Sequence, residues 1–375
     1  MITIKEVKTK KDKRIFLNFP LKLYKDNPYF VPPLYMDEKK IFKKRNSYSD
    51  TCVSTFYLAY KDGIPSGRIQ GIIQKKYNEI HNEKRVRFTR FDSIDDSKVA
   101  KALFDKLTLW AKNKGMNKIC GPLGYSDLER EGLLIHGFDE VSTFEEQYNF
   151  PYYQKLIEDY GFKKEVDWTE SRLTYNDKYR EKINKLSDLV MKKYNLHIAY
   201  RKPHESKKKY INRLAPEFFR VLDEAYKELY GVVPFNDKMK KEIIDNFKLL
   251  LDPKYLIIVL DSSDRALAFG LCFPAISEAL IKTDGKLKLS TIIKLTKVLK
   301  NPKGLDLGLA AVDPEYMNKG VVAPILKFLM DAFTLNNIEY METNLNLEDN
   351  IKIKSFWKYF NEREHKRRRS YYLNI

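Results

Sequence analysis

The stretch of this chain richest in chemical content runs from Leu305 to Pro324. A mostly apolar Leu305 to Val312 is followed by Asp313-Pro314-Glu315-Tyr316-Met317-Asn318-Lys319-Gly320 and then by Val321-Val322-Ala323-Pro324. The pattern predicts strand, tight loop and helix. Val322, Ile325, Leu326, Leu329, Met330 and Phe333 recur at helical spacing and form one apolar stripe. Pro324 suits a first helical turn, where its missing N–H costs least. Backbone N–H groups at such a helix start could hold a pyrophosphate, with Gly320 allowing close approach and Lys319 adding positive charge. A plain strand-to-helix turn, using glycine for its backbone freedom, would look the same, and the loop by itself does not separate the two.

Positioning such a loop requires a second, parallel strand. Ile338 to Asn344 supplies it, making the helix the crossover of a βαβ unit whose ligand end is the carboxyl end of the first strand. Alternation puts Tyr340, Glu342 and Asn344 on one face of that second strand. Around the unit, periodicity predicts helices Tyr210 to Tyr230 and Asp237 to Leu251 and the hairpin Tyr255 to Asp261 with Ala266 to Phe273. An inserted helix Leu289 to Lys300, a helix Asn350 to Phe360 and a strand Arg368 to Leu373 complete this half. The first half shows the same order. After a helical opening come the hairpin Ser54 to Tyr60 with Gly67 to Gln74, strand Arg85 to Phe91, helix Ser97 to Lys114 and strand Met116 to Cys120. Helix Tyr152 to Tyr160, capped by Gly161, and strand Asp167 to Thr174 close it. The expected organisation is a lobe over 1–175, a charged helical connection over 176–209 and a second lobe over 210–375.

Composition narrows the function. With 375 residues the chain is long enough for two buried cores. Three cysteines (Cys52, Cys120, Cys272) and five histidines (His81, His136, His197, His204, His365) are scattered without disulfide or metal-ligand spacing. Reduced thiols and no metal are expected. Met1 to Lys13 lacks an apolar signal core, and the longest aliphatic stretch, Tyr255 to Leu260, is too short to cross a bilayer. The expectation is a cytoplasmic protein with no membrane span. The net charge of +18 is spread along the chain, with dense blocks only at Arg201 to Lys209 and His365 to Arg369. No nucleic-acid module accompanies it, so a solvated lysine-rich face is the reading preferred to a nucleic-acid footprint.

The loop resembles the acyl-CoA loop of the GNAT acyltransferase superfamily, which has the form hydrophobic, x, Pro, x, Tyr, Arg/Gln, x, x, Gly, x, Gly/Ala. Val312, Pro314, Tyr316 and Gly320 match; Met317 stands at the Arg/Gln position and Val322 at the second glycine position. Phe19-Pro20, the run Tyr24 to Pro33, Tyr152-Tyr153, Tyr160-Gly161-Phe162, Gly231-Val232-Val233-Pro234, Glu342 with Glu348-Asp349-Asn350, and Arg367 to Tyr371 look like signatures of a bacterial two-lobed subfamily of N-acetyltransferases. The resemblance implies an α/β protein of tandem GNAT-like lobes, each a mixed, mostly antiparallel sheet with a central parallel βαβ pair flanked by helices. It implies acetyl-CoA or another acyl-CoA as co-substrate, a small-molecule amine as acceptor, and a monomer or homodimer. A non-catalytic binding protein of the same fold, taking a metabolite or an anionic ligand, is the rival reading.

The chemistry so implied is attack of an amine on a thioester in a ternary complex, which needs a base, an oxyanion donor and an acid. A backbone N–H at Leu309 or Ala310 would serve the oxyanion, with Gly308, Ala310 and Ala311 leaving room beside the strand. Val312, Met317, Asn318, Lys319, Gly320, Val321, Val322 and Ala323 would line the cofactor, and Asn350 would contact its arm or else cap a helix. Glu342 and Asp306 are the candidate bases and Tyr359 the candidate acid; Trp357 more nearly occupies the family's tyrosine position. A paired structural carboxylate is the competing account of Glu342. The first lobe, with Asp92-Ser93-Ile94-Asp95-Asp96 where the loop would be, is expected to bind no CoA and to offer Tyr148, Tyr152 and Glu131 to an acceptor cleft.

Overall fold

Alternating apolar residues in Cys52–Lys61 and Ile64–Gln74 pair as an antiparallel hairpin from Lys61↔Ile64 to Cys52↔Gln74, with Asp62 and Gly63 both at positive φ in the turn. This hairpin belongs to a computed structural model that describes residues 1–43, 46–248 and 250–375. In chain order the first elements are β1 (Ile2–Glu6), α1 (Lys10–Leu23), α2 (Tyr35–Glu38), β2 (Cys52–Lys61), β3 (Ile64–Gln74), α3 (Lys75–Ile80), β4 (Arg85–Ser93) and α4 (Ser97–Asn113). They continue with β5 (Lys118–Gly121), β6 (Leu133–His136), α5 (Tyr152–Tyr160), β7 (Lys163–Thr174), α6 (Arg180–Lys193), β8 (His197–Ile198), α7 (Lys207–Tyr226) and α8 (Asp237–Phe247). The remainder are β9 (Leu256–Leu260), β10 (Ala266–Pro274), α9 (Ser277–Leu280), α10 (Leu289–Lys300), β11 (Gly304–Val312), α11 (Ala323–Leu335), β12 (Tyr340–Thr343), β13 (Asn346–Leu347), α12 (Ile351–Trp357) and β14 (Asn361–Asn374).

The chain divides into two packed units. The first comprises Met1–Thr169, Ile276–Thr296 and His365–Ile375. Its strands β1, β2, β3 and β4 are antiparallel neighbours, and β5 runs parallel to β4 with α4 as the crossover. Tyr371–Asn374 of β14 adds antiparallel to β5. The core under α4 joins Val99, Leu103, Phe104 and Leu107 to Ile69, Val86, Phe88 and Ile119, all buried. Strand β1 replaces part of the helical opening expected there, because Ile2 and Ile4 alternate over too few residues to register as a strand before their pairing with β2 is seen.

The second unit comprises Glu170–Ala275 and Lys297–Glu364. Here β8, β9, β10 and β11 are antiparallel neighbours and β12 runs parallel to β11 across α11. The stripe of α11 is buried as its spacing requires, with Leu326, Leu329, Met330 and Phe333 packed on Leu305, Met341 and Trp357. Each such side chain contributes about 1.5–3 kcal/mol on burial, and Leu329→Ala should cost about 2–5 kcal/mol through the cavity it leaves. The segment 176–209 carries α6, whose Ile183 joins the core under α11 while Val190 packs with Val321 and Ile325. The helix expected to Leu251 ends at Phe247, and Leu249 within it lies outside the described residues.

Candidate active site

The two carboxylates chosen from the sequence are register partners. Asp306 of β11 lies opposite Glu342 of β12, and both are buried. The parallel pairing ends one step later at Leu307↔Thr343, whereas β11 runs on along β10 to Val312. From Gly308 onward β11 therefore has β10 on one side and has left β12 on the other. The Asp313 N–H donates to the Leu267 carbonyl at 2.8 Å. Because antiparallel strands exchange hydrogen bonds at alternate residues, Ala311 and Leu309 face β10, while Val312 and Ala310 turn their N–H and C=O the other way. The Ala310 carbonyl accordingly accepts from the Tyr226 hydroxyl at 3.1 Å. Of the two amides considered for an oxyanion, the one at Ala310 lies on the vacated edge.

A β-bulge opposes Leu271 and Cys272 to Leu309 and Leu307, making Gly308 the extra residue of β11. A Cβ at Gly308 would sit 2.5 Å from a ring carbon of Phe273. The missing side chain thus admits Phe273, and the room expected for a thioester at this glycine is already filled.

The loop is pinned at its first residue. Asp313 is buried; its Oδ1 accepts from the Glu315 N–H at 3.1 Å, and Oδ2 accepts from Arg220 at 3.1 Å and Arg265 at 3.0 Å. Burial by itself would raise the Asp313 carboxyl, but these hydrogen bonds and the Arg265 charge bring it below the ordinary carboxylate value. Pro314–Tyr316 forms one turn of 3-10 helix, Met317, Asn318 and Lys319 are exposed, and the Lys319 ammonium lies 4.1 Å from the Tyr316 ring centroid. Gly320 has φ +78°, and a Cβ there would lie 3.2 Å from Val190. Backbone conformation and the packing of α6 require this glycine, whatever approaches the loop. Val321, Ala323, Ile325 and Leu326 are buried; the Ala323 N–H donates to the Gly320 carbonyl at 2.9 Å, the Leu326 N–H donates to the Val322 carbonyl at 3.0 Å, and Pro324 has no N–H, so the first turn of α11 is largely closed by its own backbone. What this turn exposes is the loop Met317, Asn318 and Lys319, ahead of the buried start of α11.

Glu342 is held by Arg172 of β7, its register partner on the other side, whose Nε and Nη2 reach Oε1 at 2.8 and 2.5 Å. The Arg172 guanidinium also stacks on Tyr340, 4.6 Å from its centroid. Asp306 lies near Cys272, and burial together with the Asp306 charge pushes that thiol up. Tyr359 is half-buried and packs edge-on against Tyr179 at 5.5 Å. Asn350 caps α12, accepting from the Ile353 N–H at 3.2 Å. Neither Tyr226 nor Arg172 is legible in the sequence, because both make their contacts across long sequence separation.

In the first unit the strand equivalent to β11 is β4, which also bulges against its antiparallel neighbour between Thr89 and Asp92. Within this bulge Arg90 takes φ +48° and donates both to Glu38, at 3.0 and 3.0 Å, and to Gln70 at 2.9 Å. Asp92 accepts from Arg68 at 2.7 Å and Tyr24 at 3.0 Å, and Tyr152 donates to the Ser93 carbonyl at 2.7 Å. Phenols and guanidinium groups therefore occupy the β4–α4 turn. A cavity of about 30 Å³, room for about two waters, is lined by Arg68, Arg90, Arg130, Glu38, Glu129 and Tyr148, among others. Glu131 is buried nearby, and burial, with the charge of Asp127, raises its carboxyl well above the ordinary value. Among the described residues no group of His, Cys, Asp and Glu is arranged to hold a metal, and no helix is long and apolar enough to cross a membrane.

Compared with known proteins, this architecture is that of a tandem GNAT fold. A tandem GNAT protein from the clavulanic acid biosynthesis pathway superposes with a TM-score of 0.55 at 10% identity, over 100% of this chain and 98% of that one. Among curated sequences the chain is 27% identical over 377 residues to protein YghO of Escherichia coli strain K12, covering 98% of this chain and 94% of that protein. It is also 22% identical over 290 residues to the bacterial ceramide synthase of Caulobacter vibrioides, covering 76% of this chain and 73% of that protein. No family model matches.

Proposed function

We propose that the second unit transfers an acyl group from CoA to an amine. The observation that carries this reading is the Ala310 amide, on the edge of β11 that is left where β12 ends, with the exposed loop Met317 to Lys319 following in the same strand-to-helix turn. CoA, when bound, supplies an acyl group activated as a thioester. In this reading the Ala310 N–H donates to the acyl oxygen as charge develops there. Glu342 or Asp306 takes a proton from the amine, the C–N bond forms as the C–S bond breaks, and the departing thiolate takes a proton. The Tyr226 hydroxyl, already at the Ala310 carbonyl, is the nearer candidate for that last step, with Tyr359 as the alternative. The likeness to a ceramide synthase supports a long-chain amine as acceptor and a long acyl group as cargo, since a ceramide is the amide of a fatty acid with a long-chain amino alcohol.

Calorimetric titration with acetyl-CoA and palmitoyl-CoA tests the reading, using the wild type and Lys319→Glu. Saturable binding that weakens in the variant is the expected result, followed by amide formation when sphinganine is added. If folded wild type binds neither thioester, transfer is ruled out and a non-catalytic binding protein of the GNAT fold takes its place.

A further inference from the structure

Helix α10 is inserted between β10 and β11, and of its twelve residues Thr291 alone is buried. Three of its apolar residues are turned outward, while Leu295, Val298 and Leu299 are half-buried. Leu289 is 76% exposed, Ile292 46% and Ile293 61%, and Leu287 just before the helix is 42% exposed. Leu289, Ile292, Ile293 and Thr296 follow the i, i+3, i+4, i+7 spacing of a single helical face, so these exposures add up to one stripe. Outward-facing isoleucine and leucine on one stripe is a costly arrangement for a surface that meets only water.

From Lys286 to Lys300 the charges share one sign. Lys294, Lys297 and Lys300 lie in the helix and Lys286 and Lys288 precede it; all five are exposed, α10 contains no acidic residue, and Lys303 beyond it pairs with Glu339 at 3.3 Å. Long lysine stems can lie along apolar surface while the ammonium groups reach outward.

We infer that α10 is a docking surface for an anionic phospholipid membrane, lying in the interface with Leu289, Ile292 and Ile293 among the acyl chains and its lysines among phosphate headgroups. Charge complementarity selects this occupant. A second copy of the chain would bring its own lysines to the same contact and be repelled, whereas an anionic bilayer offers both apolar depth and negative charge. Docking of this kind does not depend on whether the second unit transfers acyl groups. It would bring the protein to where long-chain amines reside.

Co-sedimentation of the full chain with vesicles tests the inference, comparing pure phosphatidylcholine with an equal mixture of phosphatidylcholine and phosphatidylglycerol. Binding to the anionic vesicles is expected to exceed binding to the neutral ones about tenfold or more and to weaken as salt is added. Ile292→Glu combined with Ile293→Glu, and separately Lys294→Gln, Lys297→Gln and Lys300→Gln together, should each reduce it about tenfold or more. Because every substituted side chain is exposed, both variants should unfold at the wild-type temperature. Failure of the wild type to sediment with anionic vesicles would overturn the inference, as would binding that survives both variants. Self-association lost in the isoleucine variant, without vesicle binding, would assign the stripe to a second copy instead, and capture of an acidic protein alone would assign it to a protein partner.

Discussion

Arg172 donates through Nε to Oε1 of Glu342 at 2.8 Å, across an antiparallel register that sets the two residues directly opposite each other. The carboxylate with the best claim to be a base thus has a guanidinium offsetting its charge. Both the catalytic and the structural account of Glu342 have observable consequences. Glu342→Gln should lower amide formation about a hundredfold or more if the carboxylate takes the amine proton, with an unfolding temperature close to wild type. Arg172 is 33% exposed, so Arg172→Ala should cost about 1–3 kcal/mol, less than a fully buried pair. Loss of stability in both variants with unchanged turnover would make Glu342 structural; thermal unfolding and product mass spectrometry read the two effects separately.

Tyr226→Phe removes the hydroxyl that donates to the Ala310 carbonyl. A fall in turnover of about tenfold to a hundredfold is expected, while chemical denaturation should show a loss of only about 0.5–1.5 kcal/mol. Unaltered turnover would restore Tyr359 as the candidate acid.

Asp313 fastens the loop through Arg220 and Arg265. Its folded-state value lies below the ordinary 3.8, so its ion pairs contribute stability above that pH and lose it as pH falls through the folded value. Asp313→Asn should therefore be less stable than wild type at neutral pH, with the gap narrowing in acid below about pH 4. Denaturant unfolding at several pH values checks this, and a constant gap would mean that the carboxylate's charge is not what holds the loop.

Glu38 and Arg90 form the charged bridge of the first unit. Burial would raise the Glu38 carboxyl, but the charge and hydrogen bonds of Arg90 lower it from 4.5 to about 2. Stability from this pair is present above pH 4.5 and lost as pH falls toward 2. Arg90→Ala, which leaves the Glu38 carboxylate buried, should cost about 3–5 kcal/mol at neutral pH. Glu38→Gln should flatten the acid limb of the stability curve, measurable by circular dichroism across the same range.

Legibility varied with the range of the interaction. Helices α5 and α10 match their expected bounds residue for residue, and β11 and α11 do so within one residue at each end, because periodicity and capping are local. The tandem GNAT fold followed from motifs spread along the chain and is what the superposition shows. The exposed stripe of α10 was invisible at that level: an amphipathic pattern says that one face differs from the other, not which face is covered. Gly308 carried the opposite lesson, since a glycine that leaves space and a glycine whose space is taken have the same letter.

The sequence by itself determined most of the longer elements, the βαβ crossover, the loop with Gly320 and the pair of strands bearing Asp306 and Glu342, all from patterns within some twenty neighbouring residues. Tertiary structure alone decided that those carboxylates share a register, that Arg172 meets Glu342 from 170 residues away, that Tyr226 reaches Ala310 across 84, and that Phe273 fills Gly308. Strand register and bulge position are set by the summed packing of whole faces, and no local window of sequence contains that sum.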